Sequence, residues 1–199
     1  MSGRLLLDID GVLIRDHVLL DHVKHNIIKY VNKKLPGTPP SAKINNLLYR
    51  AYGHTAKGLQ REFGVDTRDF DFYVYNPKVI NHLYDFLDSS EEFREDVKSL
   101  RKCGREIELF SNAPLEWSEA VREAIGRDVV NVKPKVYSKP DIESYLAVDD
   151  GEPVTFVDDK LCNLMPALFF PNWTLVHFSE KPETEFIKTI HSVSSILNF

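Results

Sequence analysis

The sequence predicts a doubly wound, mainly parallel α/β protein with an α-helical lobe inserted after its first strand. Three observations carry that prediction. A short apolar run, Leu5-Leu6-Leu7, ends abruptly in Asp8-Ile9-Asp10-Gly11, as a buried strand does when it meets a turn. From residue 88 onward, short branched or aromatic runs alternate with stretches of helical periodicity, the pattern of a parallel sheet with crossover helices. Residues 15–87 between them read as almost entirely helical. The expected division is therefore 1–14 with 88–199 as the α/β core, and 15–87 as the insertion.

The bulk numbers narrow the function classes. At 199 residues, 43% of them hydrophobic, the chain can bury one core and a small second lobe. A net charge of -5 argues against a general electrostatic grip on nucleic acid. It leaves open a small phosphorylated partner, which needs only a local cation or two. Cys103 and Cys162 fit a reduced compartment and show no metal-ligand spacing. The N-terminal apolar run is too short for a signal peptide and carries two acids. No other stretch reaches membrane-spanning length. The expectation is a soluble cytoplasmic protein that avoids membranes; oligomeric state stays open.

Within the insertion, Val23, Ile27, Tyr30 and Val31 repeat at helical spacing, and that helix stops near Leu35-Pro36-Gly37. A turn through Thr38-Pro39-Pro40 leads to a second helix with Ile44, Leu47, Leu48 and Ala51 expected on one face. Tyr52-Gly53-His54-Thr55 reads as a turn into another short helix. Phe70, Phe72, Tyr73 and Tyr75 form an aromatic cluster before Asn76-Pro77, and a last helix uses Val79, Ile80, Leu83 and Phe86. In the core, Ser89 with Glu92 fits a capping box, ahead of a helix that buries Phe93, Val97 and Leu100 and solvates its acids. Ile107–Phe110, Val129–Val132, Val154–Val157 and Trp173–Phe178 are the further expected strands. A C-terminal helix is expected to turn Phe186, Ile190, Val193 and Leu197 inward.

Ligands of open α/β sheets bind beyond the carboxyl ends of the strands. That position belongs to Asp8 and Asp10 after the first strand, Ser111-Asn112 after the second and Asp158-Asp159 after the fourth. Two acids one residue apart repel each other unless a cation or a shared proton relieves them. Taken singly, each group has a plainer explanation: a helix cap, an Asp-Gly turn, or, for Lys139, a surface lysine.

Taken together and in order, Asp8-Ile9-Asp10-Gly11-Val12, Phe110-Ser111-Asn112, Ser138-Lys139-Pro140 and Phe156-Val157-Asp158-Asp159 resemble the four motifs of the haloacid dehalogenase (HAD) superfamily of phosphohydrolases. Residues 15–87 resemble its C1 type of helical cap. The resemblance implies a Rossmann-like core and a phosphomonoester hydrolase that works through an aspartyl-phosphate. Asp8 would be the nucleophile and Asp10 the general acid and base. Ser111, Asn112 and Lys139 would bind the phosphate. Mg2+ would be held by Asp8, the Asp10 carbonyl and an acid of the fourth motif. Asp159 is favoured as the direct ligand and Asp158 as its support, with the choice between them open.

The segment from Tyr52 to Leu59 is similar to a Tyr-Gly-x4-Gly-Leu stretch of pyrimidine 5'-nucleotidase-like members. That similarity implies a nucleoside monophosphate as substrate, with Tyr52 and His54 as candidate contacts. The same residues also read as helix ends and packing within the lobe. Two departures stand out: Lys160 follows the paired acids where relatives place a small hydroxyl residue, and no glycine pair precedes the fifth strand. A sugar-phosphate phosphatase, a phosphomutase and an idle HAD-like binding module are the competing readings.

Overall fold

The computed structural model describes residues 3–37, 39–133 and 136–198. The chain divides into two compact units, Met1–Arg15 with Leu87–Phe199, and Asp16–Phe86.

The first unit is built on a parallel sheet. Its strands are β1 (Arg4–Leu7), β2 (Ile107–Leu109), β3 (Val130–Val132), β4 (Val154–Asp158), β5 (Trp173–Phe178) and β6 (Lys188–Ile190). They run in the order β3-β2-β1-β4-β5-β6, and every neighbouring pair is parallel. β1 lies inside the sheet and is covered on both faces, which is why its sequence is a continuous apolar run and not an alternating one; Leu5, Leu6 and Leu7 are fully buried. Leu7 pairs with Leu109 on one side and Val157 on the other. The connections reverse direction at β1, so the carboxyl ends of β1, β2 and β4 sit side by side at the switch point of the sheet.

The second unit is helical: α1 (His17–Lys34), α2 (Ser41–Tyr52), α3 (Thr55–Phe63), α4 (Thr67–Val74) and the start of α5 (Pro77–Ser89). Asp16 caps α1 by accepting from the backbone N–H of Val18 and Leu19, and Asn76 accepts from Lys78 and Val79 ahead of Pro77, the arrangement an N-terminal proline favours. The buried side of α2 is Asn45 and Leu48; Leu47 and Ala51, expected beside them, are exposed. The polar Asn45 takes a core position because Thr55 partners it, its hydroxyl donating to the side-chain Oδ1 of Asn45 at 2.6 Å. Of the aromatic cluster, Phe70 and Tyr73 pack on Tyr30 at 5.3 Å each, whereas Phe72 is exposed.

The helices of the first unit are α6 (Glu91–Lys102), α7 (Leu115–Ile125), α8 (Ile142–Leu146) and α9 (Leu161–Leu164), the last running into a 3-10 turn at Met165–Phe169. Three expectations change here. The cap of α6 is Ser90, whose hydroxyl accepts from Phe93 at 3.2 Å, because α5 continues through Ser89. Among the acids of α6, Asp96 is buried and pairs with Arg15 at 2.5 Å. The expected C-terminal helix is instead β6 and a 3-10 segment, Val193–Asn198. Ile190 and Val193 are buried as expected, but Phe186 and Leu197 are exposed. The open edge of β5 takes Lys188–Ile190 as a partner, and an edge with unpaired N–H and C=O groups outweighs a helical spacing of four apolar residues.

Candidate active site

Asp8 stands one residue beyond β1, its backbone N–H still bonded to the Val157 carbonyl at 3.0 Å. The chain then coils tightly: Leu13 and Ile14 both donate to the Ile9 carbonyl at 2.9 Å, and Ile9 is buried in the core. Gly11 makes the coil possible. Its φ is +86°, and a Cβ there would lie 2.3 Å from the Asp159 carboxylate, so only glycine lets the first and fourth motifs approach this closely.

Lys139 is the buried cation of the site. Its ammonium lies 2.5 Å from Asp158 and 3.2 Å from Asp8, with the rings of Phe110 and Phe156 at 5.1 and 5.3 Å. Burial pulls this amine down, but the two carboxylates outweigh it and hold it above the usual lysine value. Asn112 sets its position: the side-chain amide donates to the Lys139 carbonyl at 2.8 Å and accepts from the Lys139 N–H at 2.9 Å. Ser111 is half-buried beside it, its hydroxyl accepting from Ala113 at 3.2 Å. A cavity of about 370 Å³ lies along β2 and α8, lined in part by Glu108, Ser111, Lys133 and Tyr137. Among the predicted site residues it touches Ser111 alone.

The two acids ending β4 differ in their surroundings. Asp158 is fully buried and has both oxygens engaged, by Lys139, by the Asn163 amide at 3.0 and 3.1 Å, and by the Lys160 N–H at 2.9 Å. Burial raises its pKa, and the Lys139 ammonium pulls it back. Asp159 has a buried oxygen, Oδ1, with no hydrogen-bond partner among the described residues; the nearest cation is Lys160, at 3.8 Å. Burial pushes the Asp159 carboxyl up to about 6. The buried His177 ring holds this loop through the Asp159 carbonyl at 3.1 Å. Carboxylate oxygens of Asp8, Asp158 and Asp159 lie within 4.8 Å of one another, and Asp10 joins the cluster with a pKa raised by burial, then by Asp8, to about 6. A divalent cation fits this donor set: clustered hard oxygens, each discharged by binding it, with one oxygen left orphaned.

The structure thus brings together Asp8, Asp10, Ser111, Asn112, Lys139, Asp158 and Asp159. Tyr52 and His54 belong to the helical unit, where packing accounts for their segment. Tyr52 donates to Glu62, His54 sets its ring edge-on to Phe70 at 6.2 Å, and Gly58 lets α3 close on Leu48 and Tyr52 of α2. Two residues escape the sequence reading, Trp117, whose indole donates to Asp10 at 3.0 Å, and His177, and so does the side-chain use of Asn112. Their partners are distant in sequence, and no local pattern announces them.

No family model matches the sequence, and no curated protein matches it. Solved structures do. A CbbY from Rhodobacter sphaeroides in complex with phosphate is 13% identical and superposes with a TM-score of 0.64, covering 100% of both chains. A HAD phosphatase from Thermococcus onnurineus is 15% identical, with a TM-score of 0.61 over 100% of this chain and 97% of its own. An L-2-haloacid dehalogenase from Xanthobacter autotrophicus with chloropropionic acid covalently bound is 12% identical, with a TM-score of 0.57 over 100% and 98%. The class is therefore an α/β core of the Rossmann-like type with an inserted helical unit. Its particular fold is that of the HAD-type hydrolases, phosphatases and dehalogenases among them.

Proposed function

We propose that the chain is a magnesium-dependent phosphomonoester hydrolase, and specifically a nucleoside 5'-monophosphatase. The observation that carries the chemistry is the pairing of Asp8, 3.2 Å from the Lys139 ammonium, with Asp10, which is pushed up to about 6. A nucleophile beside a fixed cation and an acid that holds its proton near neutrality are the two groups phosphate-ester cleavage needs. The dehalogenase among the structural neighbours is the competing chemistry. A halide leaves without a proton, whereas an alkoxide requires one, so Asp10 favours the phosphate ester.

In this reading Asp8 attacks phosphorus and becomes an aspartyl-phosphate, while Asp10 gives its proton to the departing oxygen. Asp10 then takes a proton from the water that hydrolyses the intermediate, which restores both acids. Lys139 offsets the repulsion between the Asp8 carboxylate and an incoming dianion. The hydroxyl of Ser111 and the backbone N–H of Asn112 hold a non-bridging oxygen. Asp8, the Asp10 carbonyl and Asp159 would hold magnesium, with Asp158 supporting the set from behind; the orphaned Asp159 oxygen and the four hydrogen bonds already made to Asp158 support that order. When bound, the ion supplies charge neutralisation at the phosphoryl group.

The nucleotide preference rests on the segment from Tyr52 to Leu59, with its spacing from the first motif and the Lys139-Pro140 pairing beside it, and a sugar-phosphate phosphatase or mutase shares every core group. The test is phosphate release from UMP, CMP, dUMP, AMP, GMP, sugar phosphates and an aryl phosphate, with magnesium and with EDTA. Magnesium-dependent release favouring UMP and CMP is expected. Release from sugar phosphates alone would overturn the nucleotide preference and keep the chemistry. Full activity in Asp8→Asn would overturn the covalent route.

A further inference from the structure

Trp117 lies in the first turns of α7 and is fully buried. Its indole N–H donates to Oδ1 of Asp10 at 3.0 Å. Asp10 stands in the coil after β1, its backbone held by a bridge to Ile14, so what remains to be set is the rotation of its carboxyl group. An indole has one donor and no acceptor. It can orient a carboxylate, but it cannot take the proton that the carboxylate carries. A serine, histidine or water in the same place could.

We propose that Trp117 is the positioning residue for proton transfer at Asp10. By occupying Oδ1, it leaves Oδ2 as the oxygen that carries the proton. This deepens the phosphomonoesterase reading and rests on it. As the Asp8 oxygen bonds to phosphorus, the bond from phosphorus to the ester oxygen breaks. The electron pair stays on that oxygen, which takes the proton from Oδ2. In the second step the attacking water returns a proton to Oδ2, phosphate departs, and the Asp8 carboxylate is restored. Without the indole the carboxyl group can rotate, and the fraction of time Oδ2 faces the leaving oxygen falls.

The test is the dependence of kcat/KM on the leaving group, because that constant reports the steps up to release of the alcohol. Alkyl phosphates expel a basic alkoxide and need the acid; p-nitrophenyl phosphate expels a weakly basic phenolate and does not. In Trp117→Phe, kcat/KM for alkyl phosphates should fall by about 10- to 100-fold, part of the roughly 10²- to 10⁴-fold that a placed acid supplies. The p-nitrophenyl phosphate value should stay near wild type. Asp10→Asn should show the same selectivity more strongly, and the double variant should lose little beyond it. An equal fall for both substrate classes would mark Trp117 as structural only and overturn the proposal, as would no change in either. A wild-type protein inactive on every phosphate would overturn the phosphomonoesterase reading itself.

A second readout needs no turnover. The protein has two tryptophans, and Trp173 donates its own indole N–H to Asp149 at 3.0 Å. In a ¹H–¹⁵N spectrum, Asp10→Asn should move the Trp117 indole signal and leave that of Trp173 in place. An unmoved Trp117 signal would overturn the proposal even if Trp117→Phe did not fold.

Discussion

Asn112 ties both backbone groups of Lys139 with one side chain, so a residue read from sequence as a phosphate contact also anchors the cation of the site. Asn112→Ala should lower stability by about 1–3 kcal/mol, the cost of stranding polar groups away from water, measurable by urea denaturation. It should also raise KM for the phosphate ester more than it lowers kcat, since the displaced ammonium binds the substrate in its ground state as well. Lys139→Ala leaves Asp8 and Asp158 buried without their cation. It should cost about 3–5 kcal/mol at pH 8, and less at pH 5, where Asp158, raised by its burial, can protonate instead. The acids and Lys139 were legible because each stands at a strand end or in a short motif. Trp117 was not: 107 positions separate it from Asp10, and nothing in the segment from Leu115 to Ala120 marks its indole as the donor to a carboxylate.

At the level of elements, helices were read well wherever burial and helical period coincide, as in α1 with Val23, Tyr30 and Val31. Helical spacing is overridden where a strand edge needs a partner. Phe186, Ile190, Val193 and Leu197 have helical spacing, yet the backbone of Lys188–Ile190 completes the sheet beside β5. The choice depended on a free strand edge that the segment itself does not encode. The boundary at Ser89 slipped by one residue because either serine can accept from a helix N-terminus. Ser90→Ala should therefore lower stability by about 1 kcal/mol, measured by urea denaturation. Gly58 has a packing duty. A Cβ at Gly58 would stand 2.9 Å from Leu48 and Tyr52, so Gly58→Ala should destabilise by about 1–3 kcal/mol. The loss should show first as faster amide exchange in α2 and α3.

Across the whole molecule, carboxyl groups are gathered against their own repulsion. Burial first, with like charges adding to it, raises Asp10 and Asp159 to about 6 and Asp158 to about 7, and burial raises Asp96 to about 6 despite Arg15. A raised folded-state carboxyl contributes stability below its ordinary range, and that contribution is lost as pH rises through the folded value. The metal-free protein should therefore lose stability between about pH 5 and pH 8, by ~1 kcal/mol or more, which is about 2–4 °C in Tm for a chain this size. Magnesium should reverse the fall, with a larger rise in Tm at pH 8 than at pH 5, and a protein whose Tm ignores magnesium at both values would count against the proposed ion. The first unit also gathers its own chain crossings. Arg15, its last residue before the helical segment, bonds to Glu92 and Asp96 on α6, close after the point where the chain comes back. A segment whose two ends are pinned so near each other costs its host little loop entropy, whatever its length. Selection could therefore exchange, lengthen or trim residues 16–86 as a cassette while the α/β scaffold is inherited intact.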